Sequence, residues 1–465
     1  MDTLHNFLNS FLGSFIFWAA WIIIPVVMEV VPSIGSMLVL LKKRLFPKHY
    51  PVPAFEPEIS LLIPVYNSAD TLEECIRSID ESDYPNSQIR IFCVNNQSKD
   101  NSFQVFGECQ RKYPDLMMQW LNAKQGKSRA LNMALFNSDG KYIIHIDSDG
   151  QLEKSALKKI VHKFEGDKDT DCMTGSILTF PQQVEEYPLL FPRLLRKLEF
   201  MEYAQAFLAG RNYASEFNMM YTLSGAFSAF RKSAVLKSQL YNTDTIGEDT
   251  QITFQMKYLQ GLKVSICEDA IFFVDPIEDM NKLYTQRQRW QRGSLEVSAL
   301  FLKKDLKPHK MLSDENVRTL MYDHTFAFPR MIWYLALICL MLMNYSFTMI
   351  AYSTAFLFLL YIIVGFFYYI AINGFLSEFK EVRNYYRKQW YIVPILPFFN
   401  LLVFFIRFAG VINSIDTESS WKVKNLTEEG QAFKEAAASE LGVFGKAIRR
   451  VRMFVNKPEE TEIKS

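Results

Sequence analysis

Tyr142-Ile143-Ile144-His145-Ile146-Asp147-Ser148-Asp149-Gly150 is the stretch on which the fold class turns. A short apolar run flows straight into an acidic turn, which reads as a strand buried on both faces and ending in Asp-Ser-Asp-Gly. The same pattern recurs upstream. Ile59–Val65 is an apolar run closing at Pro64, Tyr66 and Asn67, and Ile89–Val94 closes in Asn95-Asn96-Gln97-Ser98. Met117–Leu121 precedes Gly126, and helical spacing fills the intervals at Thr71–Ile79, Phe103–Tyr113 and Ser128–Phe136. Strands alternating with helices in this way predict an open α/β sheet. Ligands of such sheets sit beyond the carboxyl ends of the strands. The polar strand ends at Asn67, Asn96 and Asp147–Asp149 therefore predict one crevice.

Three clusters in or near that crevice can carry chemistry. Asp147 and Asp149, spaced by one residue where a strand turns, can converge on one cation, and carboxylate with diphosphate oxygens suits Mg²⁺ or Mn²⁺. The competing reading is a turn or helix cap, but the buried strand feeding the motif favours the metal. His145, on the same strand, reads as a core histidine. Gly247-Glu248-Asp249 opens an amphipathic helix over Thr250–Leu259. Acidic residues there complement the helix dipole, and one of them can also take a proton from a hydroxyl as general base. Gln286-Arg287-Gln288-Arg289-Trp290 lies on a basic helical stretch, with Gln286, Arg289 and Trp290 on one side at i, i+3 and i+4. Arginine binds diphosphate bidentately and an indole suits the C–H face of a pyranose. An interfacial amphipathic helix accounts for the same residues equally well.

The formal net charge of the 465 residues is +1, which supplies no basic footprint for nucleic acid. Six cysteines without a Cys-x-x-Cys pair or Cys/His cluster fit reduced, cytosol-facing thiols. Hydrophobic residues, 49% of the chain, gather at its two ends. Between Phe7 and Leu41 the only charge is Glu29, a length that admits one kinked span or two short ones around Pro25 and Pro32. Lys42, Lys43, Arg44 and Lys48 then place the following residues in the cytoplasm. Met331–Ser377 is uncharged and long enough for two spans turning at Asn344, Tyr345 and Ser346. Trp390–Ile415, with Pro394, Pro397 and Arg407, either crosses or dips and returns. Glu29 and Arg407, as charges inside apolar segments, are expected to face protein or a channel. Leu441–Lys457 reads as a basic amphipathic helix suited to an anionic leaflet, or as a solvated tail helix.

In this order the segments resemble the processive family 2 inverting glycosyltransferases, a group that includes poly-N-acetylglucosamine, cellulose, hyaluronan and chitin synthases. The resemblance runs from the first membrane segment to about Trp421. It rests on Ile59–Asn67, Gly126-Lys127 with Ala130-Leu131-Asn132, Asp147-x-Asp149, Ser224-Gly225-Ala226-Phe227 with Phe230-Arg231, Gly247-Glu248-Asp249 and Gln286-x-x-Arg289-Trp290. The chain also looks like members associated with exosortase systems of Gram-positive cells.

The resemblance implies a GT-A domain. It assigns metal binding to Asp149, with Asp147 beside it at the ribose and diphosphate. Lys127 would lie near the nucleotide, Asp249 would be the base with Glu248 beside it, and Ser224 and Gly225 would line the acceptor site. Gln286, Arg289 and Trp290 would hold diphosphate and acceptor sugar. Two departures stand out: Asn95-Asn96 where an acidic pair is usual, and Gly247 where poly-N-acetylglucosamine synthases carry threonine. The organisation expected is a membrane segment over 1–50, a cytoplasmic GT-A domain over 51–305, an interfacial region over 306–330, membrane helices over 331–415 and a polar tail over 416–465. The function expected is transfer of a sugar from a UDP-sugar, with Mg²⁺ or Mn²⁺, to a growing saccharide at the cell membrane. An accessory membrane subunit is among the partners this allows. Single-sugar transfer to a lipid-linked acceptor and a catalytically silent scaffold are the alternatives.

Overall fold

A computed structural model of the chain describes residues 22–23, 25–48, 50–302, 328–343, 347–416 and 425–431. The described N-terminal part is helical. A π-helical turn, Val26–Val30, leads without a break into α1 (Val31–Leu45). Val31 N–H donates to Val26 O, five residues back, and Pro32 follows at the start of α1. A wider turn at this point accommodates a residue that has no N–H to donate. From Pro25 onward this is one continuous helix.

The central unit is an eight-stranded sheet in the order β3-β2-β1-β4-β7-β6-β8-β5. Its first half alternates strand and helix: β1 (Ile59–Val65), α2 (Leu72–Asp80), β2 (Ile89–Asn95), α3 (Ser102–Lys112), β3 (Met117–Asn122), α4 (Lys127–Asn137) and β4 (Tyr142–Ile146). These four strands are parallel and in tight register, with Ile59 opposite both Ile89 and Tyr142 and Val65 opposite Asn95. Their carboxyl ends therefore line up along one edge. Side chains alternate between layers as a pleated strand requires. Ile59, Leu61, Ile63 and Val65 pack in one core with Ile76, Ile79 and Phe106, whereas Leu62 joins Phe92, Val94, Leu131 and Ile143 in the other. Burial on both faces explains why these strands are continuous apolar runs.

The second half is mixed. β5 (Gly150–Leu152), α5 (Ala156–Gly166) and β6 (Cys172–Thr179) are followed by a long helical arm: α6 (Leu190–Tyr203), a π-helical stretch Ala204–Gly210, and α7 (Arg211–Glu216). Next come β7 (Phe227–Arg231), α8 (Glu248–Phe254) and β8 (Val264–Val274). β7 lies antiparallel between β4 and β6, pairing Ile146 with Phe227. The residues just before β7 are thereby brought against the end of β4, where Asp147 N–H donates to Ala226 O at 3.2 Å.

Beyond the sheet lie α9 (Met280–Leu302), α10 (Phe328–Leu342), α11 (Phe347–Phe375), α12 (Lys380–Lys388) and α13 (Leu396–Asp416). Two stretches among the described residues are long and apolar enough to cross a membrane: the 26 residues Ile350–Phe375 and the 19 residues Leu396–Ser414. Pro397 sits at the start of α13, where a missing N–H costs nothing, and within Trp390–Ile415 a short 3₁₀ turn (Trp390–Ile392) and a turn over 393–395 precede one unbroken helix from Leu396. Arg407 is buried within the protein at 8% exposure, as its position in an apolar segment requires. The turn expected at Asn344–Ser346, the helix expected at Leu441–Lys457 and most of the 306–330 region lie outside the described residues, as do Phe7–Trp21.

Candidate active site

The aligned strand ends form the floor of a crevice. Asn67 ends β1 in a left-handed conformation (φ 50°), and its Oδ1 accepts a hydrogen bond from Lys99 N at 2.8 Å. The loop carrying Asp147 is tied to β1 by Ser68 Oγ and Ser148 Oγ, 2.8 Å apart. Asn96 is buried, and its Oδ1 accepts from Gly126 N at 2.6 Å. Gly126 has φ 132°, a conformation that excludes ordinary side chains, and it turns the chain into α4 so that Lys127 is the helix's first residue. Asn96 thus clamps the turn that presents Lys127.

Lys127 is the hub of the site. Its Nζ lies 2.6 Å from Asp147 Oδ1 and 3.4 Å from Glu248 Oε1, and it donates to Gly225 O at 3.0 Å. One ammonium therefore joins the end of β4, the start of α8 and the loop before β7. Burial alone would lower the pKa of Lys127, but the charges of Asp147 and Glu248 outweigh burial and hold it above its ordinary value. Asp147 shows the converse: burial would raise it, yet Lys127 and then His145 hold the carboxyl well below the usual range. His145 is fully enclosed, its Nε2 3.4 Å from Asp147 Oδ1, and burial lowers its pKa. It is the core histidine that its strand position indicates.

The other two carboxyls behave differently. Asp149 stands at the solvent-open mouth of the crevice, and the protein around it, then the charge of Asp147, push its pKa up to about 6. Asp249 lies in the first turn of α8, with Oδ2 accepting from Gly225 N at 3.1 Å and Oδ1 from Thr250 N at 2.7 Å. Burial and the neighbouring Glu248 raise its proton affinity. Gly225 is needed for this approach, because a Cβ there would stand 3.2 Å from Asp249 Oδ2. Gly247, before α8, meets Gly293 on α9 so closely that a Cβ on Gly247 would sit 3.3 Å from the Gly293 backbone. That contact is a physical reason for glycine at 247.

α9 forms the third wall. Arg289 is exposed on it, while Gln286 and Trp290 are half-buried. Trp290 packs edge-on against Phe207, ring centroids 5.9 Å apart at 74°. The same helix is docked on α13: a Cβ on Gly410 would lie 3.4 Å from Gln288 Cα, and Asn413 Nδ2 donates to Gln288 Oε1 at 3.3 Å. The Gln286–Trp290 segment is thus joined directly to a helix long enough to span a membrane.

Residues 60–237 match the family described as Glycosyl transferase family 2. Over those residues the chain is similar to that family. Among curated proteins the chain is similar to the poly-beta-1,6-N-acetyl-D-glucosamine synthase of Staphylococcus aureus strain MSSA476. That match is 26% identical over 239 residues, 51% of this chain and 55% of the relative. A synthase of the same name from Staphylococcus epidermidis is 24% identical over 277 residues, 59% of this chain and 64% of the relative. The matched region thus spans little more than half the length of the curated relatives. Among solved structures, a mannosyltransferase from Pyrobaculum calidifontis in complex with GDP-Man and Mn²⁺ superimposes with a TM-score of 0.51 at 18% identity. It covers 81% of this chain and 98% of that one. The fold is the GT-A type of α/β domain, as the resemblance implies.

In this domain Lys127, Asp147, Gly225, Glu248 and Asp249 come together through direct contacts. Ser224 is buried beside them, its N–H donating to Thr174 Oγ1 at 3.2 Å. Asn67 and Asn96 belong to the floor. Asp147 is engaged by Lys127 at 2.6 Å, whereas Asp149 beside it is exposed. Among the described residues no three His, Cys, Asp or Glu side chains gather around one point, so an ion on Asp149 would draw its remaining oxygens from a bound diphosphate. The donor set suits Mg²⁺ or Mn²⁺ in that role. The motif readings passed over Arg287 and Glu202, an ion pair at 2.5 Å behind Trp290, and Glu199, whose carboxyl burial pushes up to about 7. Nothing in local spacing marks Arg287, since its partners lie on α6, some eighty residues earlier in the chain.

Proposed function

We propose that the chain transfers a sugar from a UDP-sugar, UDP-N-acetylglucosamine or UDP-glucose, to the end of a growing saccharide with inversion at the anomeric carbon. The observation that carries this is the contrast between two carboxyls arranged around Lys127. Asp149 is exposed at a strand end, whereas Asp249 is half-buried and hydrogen-bonded on both oxygens, and the proton affinity of both is raised. An exposed carboxylate is open to a cation, and one held at a helix start is placed to take a proton, which suits divided roles. In this reading Asp249 takes the proton of the acceptor hydroxyl as that oxygen attacks the anomeric carbon from the face opposite the leaving UDP. Glu248 raises the basicity of Asp249, and Gly225 N–H holds its carboxylate in place. Asp147 and Lys127 orient ribose and diphosphate, Arg289 and Gln286 meet the diphosphate, and Asn67 and Asn96 border the base. A Mg²⁺ or Mn²⁺ on Asp149 would neutralise charge on the departing diphosphate.

Extension of a polymer is favoured over single addition by the docking of α9, which carries Trp290, on α13, a helix long enough to span a membrane. The curated relatives are named for a polymer of N-acetylglucosamine, which supports that donor. The same reading puts the 51–305 domain on the cytoplasmic side of a multi-pass cell-membrane protein, between membrane segments at 1–50 and 331–415. An indole platform holds a pyranose but does nothing for water. Trp290→Ala and, on the path through α13, Arg407→Leu are therefore expected to shorten the product several-fold at one fixed donor concentration. Product-length profiles that match the unmodified chain, with yield alone reduced, would favour single addition.

A further inference from the structure

Behind the crevice, Arg287 is fully buried, and among the described residues it is the largest side chain so enclosed. Its Nη2 pairs with Glu202 Oε2 at 2.5 Å, but Nε and Nη1 are buried with no hydrogen-bond partner among the described residues. A buried cation with unpaired donors is costly, and an apolar side chain of similar volume would fill the space at least as stably. What an apolar residue would not supply is a flat, charged surface. The Arg287 guanidinium lies 4.3 Å from the centroid of the Trp290 ring and 5.5 Å from that of Tyr203. Trp290 is met by Phe207 edge-on, and Phe207 sits on the π-helical stretch that continues α6 directly after Tyr203. One helical arm thus contributes Glu202, Tyr203 and Phe207: the first fixes Arg287, the second lies against it, and the third contacts the indole. π-helical insertions recur at functional sites because they re-aim side chains within a helix.

We propose that Arg287, held by Glu202, is a positioning residue that sets the plane of the Trp290 indole for the acceptor sugar. This rests on the reading of Trp290 as the acceptor platform. Arg287 touches no substrate; it acts through Trp290. Lysine at 287 keeps the charge and the ion pair but loses the plane, because an ammonium is a compact point charge. A desolvated cation–π contact is of a size to shift occupancy of one indole orientation about tenfold.

The test uses the full chain in membrane vesicles with UDP-N-acetylglucosamine, and reads the ratio of sugar incorporated into saccharide to sugar released into water. Arg287→Lys is expected to lower that ratio about tenfold and to lower it no further when Trp290→Ala is already present, as coupled residues do in a double-mutant cycle. Glu202→Gln, which keeps size and hydrogen bonding, should move the ratio in the same direction and is read alone should Arg287→Lys fail to accumulate. Equal losses from Arg287→Lys with and without Trp290→Ala would overturn the inference, as would an unaltered ratio in Arg287→Lys when Trp290→Ala lowers it. An unaltered ratio in Trp290→Ala itself would overturn the acceptor reading, and the inference with it.

Discussion

Asp149→Ala is expected to abolish sugar transfer. The carboxylate stands open at the end of β4, while its neighbour Asp147 is committed to Lys127 at 2.6 Å. A divalent cation stabilises a departing diphosphate by several kcal/mol. Losing its protein ligand should therefore cost ~10³-fold or more in turnover. The check is turnover under saturating Mn²⁺, together with donor binding by the same preparation. Turnover near that of the unmodified chain would remove the metal-ligand role of Asp149. The substitution should not harm the fold, because Asp149 is exposed and the loop is held instead by Ser68–Ser148 and by Asp147 N–H to Ala226.

Asp249→Asn should leave nucleotide-sugar binding in place and collapse turnover by ~10²–10⁴-fold, the usual cost of removing a general base. The amide keeps the volume and can still accept from Gly225 N and Thr250 N, so the start of α8 survives. What it cannot do is take a proton. A variant that loses affinity with turnover intact would mean that Asp249 only caps the helix. The raised proton affinity of Asp249 also gives a sign for the pH dependence. The base must be ionised to work, so the rate should fall as pH drops through a value near 6, where this carboxyl gains its proton. In Asp249→Asn that acid limb should vanish from the residual rate. An acid limb that persists unchanged would assign it to another group.

The first half of the sheet was legible because each of its strands is buried on both faces and ends in polar residues at the same edge. Tyr142–Ile146 matches the expected span, and Ile59–Val65 does too. The second half is not legible in this way. β6 buries Thr174, Ser176 and Thr179, so its sequence lacks the apolar run that marks β1. β8 is interrupted by Glu268 and Asp269 where its pairing with β6 shifts register between Gly175 and Ser176. Glu268 survives there because Lys43 and Lys163 approach it at 2.9 and 3.4 Å, partners from α1 and α5 that no local pattern reveals. The antiparallel insertion of β7 was hidden for the same reason: pairing is a property of the assembled sheet.

The site divides along similar lines. Asp147, Asp149, Glu248 and Asp249 are recognisable because each closes or opens an element, where carboxylates are exposed to ligands. Lys127 as the hub is not, since its partners come from three separate elements. Asn96 shows what position leaves out: it stands at a strand end, and its oxygen also accepts from Gly126 N, thirty residues on. Arg287 reads as one more basic residue on an interfacial helix until the fold places Glu202 and Trp290 around it.

The most direct measurement of sugar transfer is to incubate membranes containing the full chain with a panel of radiolabelled nucleotide-sugars and to size the labelled product, with Asp249→Asn membranes alongside. Label from a UDP-sugar, UDP-N-acetylglucosamine first, is predicted to enter a saccharide that lengthens with time, and to remain in the donor when Asp249 is replaced. Membranes that leave every nucleotide-sugar intact, or that incorporate label equally well with Asp249→Asn, would contradict the account.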